Sequence, residues 1–281
     1  MPELPEVETI RLQLEKQILG KEIHQVEIFQ KRSFIGDHAS LLGCKIIQLL
    51  RIGKYLILVL DSSKFVVMHL KMSGRILIEH LDAEKSKHLK ACFVLDGNLR
   101  LDFHDVRKFG RIWVLDSIDD LQDQMGVDPI SDYFLYPSFC ELVEKKKRSA
   151  IKPFLLDQKN IAGIGNIYAD EICFVSGISP FTTLECLSDE KVERLFHATK
   201  EILKNAILLQ GTSLGKGLSN FKTPHGEMGR NYEGLKVYGQ QGLNCLRCGH
   251  VIQKCKFASR GTHFCPKCQP DLKHESSCNR R

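Results

Sequence analysis

Two cysteine pairs toward the C-terminal end constrain the chain more than any other feature. Cys245 and Cys248 form one C-x2-C, Cys265 and Cys268 form a second, and 16 residues separate the pairs. That spacing lies in the range of a tetrahedral four-thiolate zinc site, and four thiolates close the coordination shell. No position is left for a reactive water, so the expected cofactor is one structural Zn2+. The stretch between the pairs, GHVIQKCKFASRGTHF, reads as a two-stranded hairpin with a basic tip. The other seven of the eleven cysteines (Cys44, Cys92, Cys140, Cys173, Cys186, Cys255 and Cys278) have no such spacing. The odd count, and a start without the basic, apolar and small-residue order of a secretory signal, argue for free thiols in a reducing compartment.

At 281 residues the chain has room for one large or two ordinary domains. No run is apolar for the length of a membrane span, so a soluble protein without membrane contacts is expected. The net charge of +6 is uneven: residues 1–133 carry 18 Lys/Arg against 20 Asp/Glu, net −2, and residues 134–281 carry 22 against 14, net +8. The basic part suits a polyanion such as nucleic acid, and equally an ordinary solvated face.

The opening, MPELPEVETI, places Pro2 after the initiator methionine, with carboxylates at Glu3, Glu6 and Glu8. Val7, Ile10, Leu14 and Ile18 recur at three- or four-residue intervals, which predicts a helix from Pro5 to Leu19, closed by Gly20. KIIQLLRIGKYLILVL, KFVVMHLKMSGRILI and ACFVLDGNLRLDF then alternate as strands, with Asp96-Gly97 a hairpin turn and Gly53 and Gly74 breaks. Short strands at this spacing predict a β-sandwich. After Trp113 helical periodicity takes over in SIDDLQDQMG, PSFCELVEKKKRSAIKPFLLDQ, GNIYADEICFVSG and SDEKVERLFHATKEILKNAILLQG. A Gly-, Ser- and Asn-rich loop follows from Gly211 to Gly234. The fold class is therefore α+β, divided at 1–133, 134–234 and 235–270, with a polar tail at 271–281.

PELPEVETIR at the start, HLKMSGR at 69–75, DVRKFGR at 105–111, IAGIGNIYADE at 161–171, and the cysteine module with SRGTHFCPKC together resemble formamidopyrimidine-DNA glycosylase. The likeness runs nearly end to end. It implies a bacterial-type base-excision enzyme, a monomer in the cytosol associated with the nucleoid through DNA. The enzyme flips oxidised purines (8-oxoguanine, formamidopyrimidines) out of duplex DNA, excises them and cuts the abasic strand. It also implies an N-terminal catalytic sandwich, a helix-two-turn-helix domain with a lesion-capping loop, and a zinc-finger hairpin, with the site in a cleft between them.

Residue by residue, the resemblance makes Pro2 the nucleophile. Freed of Met1, it is a secondary amine whose ordinary pKa of about 7.7–8.0 leaves some free base near neutrality. Attack on the sugar C1′ gives an iminium that cannot shed a nitrogen proton, so it acidifies C2′ and drives β,δ-elimination. Glu3 matches the acid/base catalyst at the ring oxygen, and Glu6, one turn on, is placed to relay protons beside it. Without the resemblance, Pro2 and these glutamates are only a good helix start. Lys54 matches a phosphate-contacting lysine, and Met72, Arg107 and Phe109 match the trio that fills the gap left by the flipped nucleotide. Asn166 and Tyr168 are expected to face the DNA backbone from the helix-two-turn-helix, and Arg260 to reach phosphates from the finger.

The capping stretch, GKGLSNFKTPHGEMGRNYEG, departs from the commonest family version. Contacts to the base are expected from backbone amides within 215–232, with none assigned individually. Endonuclease VIII, a related enzyme for oxidised pyrimidines, usually has glycine where this chain has Leu4 and lacks the Arg/Phe wedge. A non-enzymatic zinc-containing DNA-binding protein accounts for the finger and the charge but leaves Pro2, Glu3 and Lys54 without a role. A zinc deaminase, suggested by the H-x-E at His225–Glu227, needs an open metal position that four cysteines do not leave.

Overall fold

The computed structural model describes residues 1–215 and 220–271; the tail beyond, with Cys278, and loop residues 216–219 lie outside the described residues. The chain divides into two units, Met1–Gln124 with Ala206–Tyr232, and Met125–Asn205 with the chain from Glu233 onward.

The first unit opens on helix α1 (Leu4–Ile18), with Pro5 and Glu6 in its first turn. Its stripe of Val7, Ile10, Leu14 and Ile18 is at most 1% exposed. Burying each such side chain is worth about 1.5–3 kcal/mol, so one charge at Ile10 is enough to undo the docking. Leu19 is extended and Gly20 takes φ +78°, which ends the helix.

Two sheets follow, built from β1 (Ile23–Ile28), β2 (Phe34–Ile35), β3 (Ile46–Ile52), β4 (Tyr55–Leu60), β5 (Phe65–His69), β6 (Gly74–His80), β7 (Leu89–Leu95), β8 (Leu99–Asp105) and β9 (Arg111–Leu115). One is antiparallel in the order β1-β7-β8-β6; the other runs β2-β9-β5-β4-β3, with only β2 and β9 parallel. Val26, Phe93 and Leu101 of the first sheet, Leu49, Leu58 and Met68 of the second, and the stripe of α1 share one core. This is the expected sandwich. Gly97 and Asn98 are both left-handed in the β7–β8 turn.

The outer face of the five-stranded sheet is also covered: Ile57 and Val67 pack with Ile118, Trp113 and Leu121. That double burial is why YLILVL is continuously apolar rather than alternating. The short helix α2 (Asp119–Asp123), within SIDDLQDQMG, groups with the sandwich. Residues 206–232 group with the sandwich too, rather than with 134–205. The Ile78 N–H, on edge strand β6, donates to Pro224 O at 2.9 Å, so this segment caps a sheet edge.

In the second unit, α3 (Tyr136–Lys145), α4 (Ile151–Leu156), α5 (Asn166–Ser176) and α6 (Asp189–Leu208) form the helical part, although α6 from Ala206 groups with the sandwich. The PSFC…DQ stretch is broken into α3 and α4 because residue 150 bridges Thr183 and the Ile151 N–H donates to Thr182 O (2.9 Å). Phe134, Phe139, Phe154 and Phe196 stack in one aromatic cluster. The finger hairpin pairs β10 (Gln253–Phe257) with β11 (Arg260–Phe264) across Ala258 and Ser259, both at positive φ. No helix among the described residues is long and apolar enough to cross a membrane.

Candidate active site and nucleic-acid interface

Pro2 is buried immediately before α1, and Glu3, the N-cap, is 3% exposed. Glu6, one turn on, is tied to the backbone on both sides of the helix mouth. Its Oε2 accepts the Glu3 N–H at 2.8 Å and its Oε1 accepts the Thr212 N–H at 2.8 Å. Both oxygens are engaged with backbone donors, so Glu6 clamps the helix mouth to the base of the capping loop. Gly211 makes that approach possible: at φ +81°, a Cβ there would stand 3.0 Å from Glu6 Cγ. Glu8 pairs with Arg11 and with Arg51 at 2.8 Å each. Burial pushes its carboxyl up, but the Arg11 hydrogen bond and the Arg51 charge outweigh it and hold the group below its ordinary range. Arg51 in turn donates to Gly53 O (3.2 Å), which fixes the β3–β4 turn carrying Lys54, a residue 8% exposed.

Next to Lys54 stands His69, which sequence reasoning missed. Its imidazole is pushed down to about 3 by burial, then by the charges of Lys71 and Lys54. The Lys71 N–H donates to its Nδ1 at 2.9 Å, so the neutral ring carries its hydrogen on Nε2, a donor beside an ammonium. Folded His69 stays neutral down to about pH 3, whereas the unfolded ring protonates near 6.5, so stability is lost as pH falls through that window. Between about pH 7.5 and 5 the expected loss is about 2 kcal/mol. His69→Gln should lack it; equal pH dependence of urea unfolding in the two proteins would contradict the assignment.

Met72 (43% exposed) and Phe109 (50%) project from turns, as expected of gap-filling side chains, and Arg107 lies over the Phe109 ring at 5.4 Å. What holds the two turns together was not legible in sequence. Asp105, fully buried, accepts the Ser73 hydroxyl at 2.5 Å and the Arg107 N–H at 3.1 Å on Oδ1, and the Gly110 N–H at 2.6 Å on Oδ2. The Arg107 N–H also donates to Ser73 Oγ at 3.0 Å. One carboxylate and one hydroxyl therefore lock the Met72 turn to the Arg107–Phe109 loop. We expect Ser73→Ala to slow cutting of a lesion duplex by about tenfold or more, since a hydrogen bond to a charged group is worth about 1.5–3 kcal/mol. Nicking of a pre-formed abasic site should change less; an equal loss on both substrates would contradict the wedge-positioning role.

In the second unit Asn166 is the first residue of α5 and donates from Nδ2 to Gly261 O at 2.9 Å, leaving one amide hydrogen for a ligand. The expectation for Tyr168 is corrected: it is 0% exposed, because nearly every residue of α5 is buried, so its side chain is core and cannot face DNA. Arg260 is exposed at the hairpin tip. Its strand is held by a buried group: Lys152 Nζ lies 2.6 Å from Asp170 and donates to Gly261 O and Thr262 Oγ1 at 2.9 Å, while Asp170 Oδ2 accepts the His263 N–H at 2.9 Å. Glu171 accepts the N–H groups of Lys236, Val237 and Tyr238 at 2.8–2.9 Å. The GNIYADE motif thus anchors both the hairpin and the chain leading into it, and sets Arg260 relative to Asn166.

The sulfur atoms of Cys245, Cys248, Cys265 and Cys268 lie within 4.8 Å of one another, with Cys245–Cys268 at 3.8 Å and Cys248–Cys265 at 3.5 Å. Ligands about 2.3 Å from a tetrahedral zinc stand about 3.8 Å apart, so the cluster fits one structural zinc. It is the only such metal-ligating group among the described residues.

Comparison with known proteins agrees along the whole chain. A profile described as "Formamidopyrimidine-DNA glycosylase N-terminal domain" matches residues 1–112, the H2TH domain of the same family matches 125–216, and "Zinc finger found in FPG and IleRS" matches 242–270. The formamidopyrimidine-DNA glycosylase of Carboxydothermus hydrogenoformans is 39% identical over 274 residues, covering 96% of this chain and 100% of that protein. The crystal structure of the MutM (Fpg) protein of Thermus thermophilus superposes with a TM-score of 0.86 at 37% identity, covering 96% of this chain and 99% of that one. The Lactococcus lactis Fpg in complex with abasic-site DNA gives 0.87 at 36%, with coverage of 96% and 100%.

Proposed function

Because the chain belongs to the formamidopyrimidine-DNA glycosylase family, we propose that it excises oxidised purines from duplex DNA and cleaves the abasic strand through Pro2. The observation that carries this is a proline at position 2, buried at the mouth of α1 beside Glu3, in a chain related to those enzymes over its full length. Loss of Met1 frees the Pro2 amine. Its lone pair attacks C1′, and the base leaves with the glycosidic electrons; Glu3 protonates the ring oxygen as the sugar opens to an iminium. Loss of a C2′ proton expels the 3′ phosphate, a second elimination expels the 5′ phosphate, and water releases the amine. Glu6 holds the Glu3 backbone beside the amine.

Each unit offers its own contacts to the duplex. Lys54 and the Nε2–H of His69 serve the phosphate next to the lesion, and Met72, Arg107 and Phe109 fill the vacated stack, with Arg107 facing the orphaned cytosine. Asn166, at the N-terminus of α5, and Arg260 hold backbone phosphates. Backbone amides of the capping loop within 215–232 contact the everted base. The work is done in the cytoplasm, by a monomer on DNA.

The reading is tested by incubating the zinc-loaded protein with duplexes carrying 8-oxoguanine opposite cytosine or 5-hydroxyuracil opposite guanine. Faster cutting of the purine lesion supports it. Cutting of the pyrimidine lesion alone makes the protein an endonuclease VIII-type enzyme, and cutting of neither leaves a binding protein.

A further inference from the structure

A cavity of about 530 Å³ opens on the sandwich unit where strand β7 bulges, and its walls include Phe29, Lys85, Lys87, Lys90 and Lys108. Leu89 pairs with His104 and Ala91 with Phe103, so Lys90 is the extra residue between them. A bulge re-aims the side chain it carries. Lys90 is only 5% exposed, and its carbonyl is fixed by the N–H groups of Phe29 (2.9 Å) and Gln30 (3.1 Å). Lys85 is already neutralised by Glu27 at 2.6 Å and lies over the Phe29 ring. The ammonium groups of Lys87, Lys90 and Lys108 make no hydrogen bond or ion pair among the described residues. Burial, then the charge of Lys108, holds Lys90 below its ordinary pKa, with Asp105 opposing. These cations repel one another around an open space, and burying the Lys90 charge with no ion pair among the described residues is costly. Lys108 also lies between Arg107 and Phe109 at φ +61°, so an anion held here abuts the gap-filling loop.

We propose that this cavity is a phosphate-binding site in which Lys87, Lys90 and Lys108 together grip one phosphate group, whether a backbone phosphate of duplex DNA or free phosphate. Ammonium groups bind phosphate oxygens through charge-assisted hydrogen bonds, whether the two non-bridging oxygens of a backbone phosphate or those of free phosphate. The assignment does not depend on chemistry at Pro2.

The test uses the full-length, zinc-loaded protein and Lys90→Met, which keeps the apolar stem and removes the charge. Affinity for an undamaged duplex is measured from about 50 to about 200 mM salt. One lost phosphate contact makes the slope of log affinity against log salt shallower by about 0.9. In parallel, inorganic phosphate is titrated into both proteins, with the lysine ε-methylene NMR signals as readout. A shallower slope in the variant identifies a DNA phosphate. An unchanged slope, with a saturable shift of the Lys90 signal in the parent and of no lysine signal in the variant, identifies free phosphate. The absence of both effects overturns the proposal. Lys87→Gln gives the same readings if Lys90→Met melts early, and the undamaged duplex keeps the result separate from any failure of excision.

Discussion

Pro2→Gly is expected to lose at least about 100-fold of its base-excision rate, the low end for removal of a catalytic group, while binding lesion duplex as tightly as the parent. Glycine is as small as proline after Met1, so processing still exposes an amine and the comparison isolates the nucleophile. A primary amine can attack C1′, but its iminium sheds a nitrogen proton to a neutral imine, which is a poor electron sink. The variant also gives up the fixed φ that holds the amine at the helix mouth. Elimination should therefore suffer along with excision. Single-turnover cutting beside duplex affinity is the measurement, and parent-like turnover would refute the role of Pro2.

The second large effect is on stability. Lys152 and Asp170 are both 0% exposed and 2.6 Å apart, and Asp170 also takes the His263 N–H. Asp170→Ala strands an ammonium in the interior, and breaking a buried pair from one side costs about 3–5 kcal/mol. Replacing both partners, Lys152→Met with Asp170→Leu, should recover much of that loss because no charge is then left buried. It should not recover DNA affinity, since Lys152 also holds Gly261 and Thr262 next to Arg260. Urea unfolding with duplex binding measures both. If the double variant is as unstable as Asp170→Ala, the cost lies in packing and not in charge.

Much of this was legible in the sequence wherever the cause is local. The C-x2-C pairs, the α1 stripe from Val7 to Ile18, and large apolar residues in the KMSG and RKFG turns each follow from spacing or from turn residues. The parts that escaped are set by partners far along the chain. Glu6 is expected beside Glu3, but its tie to the Thr212 N–H, 206 residues on, has no signal in the sequence. Tyr168 follows Asn166 in a motif that suggests a shared face, yet α5 is buried on nearly all sides and turns the ring inward. Asp105 and Ser73 carry no periodicity, and their 2.5 Å contact joins two turns that sequence reasoning treated separately. Buried polar groups of this kind obey satisfaction rather than pattern, so only the fold exposes them.

The most direct test of the account is borohydride trapping of the Met1-processed protein on a duplex with 8-oxoguanine opposite cytosine, followed by mass mapping of the cross-linked peptide. Reduction fixes the iminium as a stable amine. The account predicts one adduct, on the N-terminal peptide at the Pro2 nitrogen. An adduct on a lysine such as Lys54, or none on either the lesion duplex or an abasic-site duplex, would contradict it.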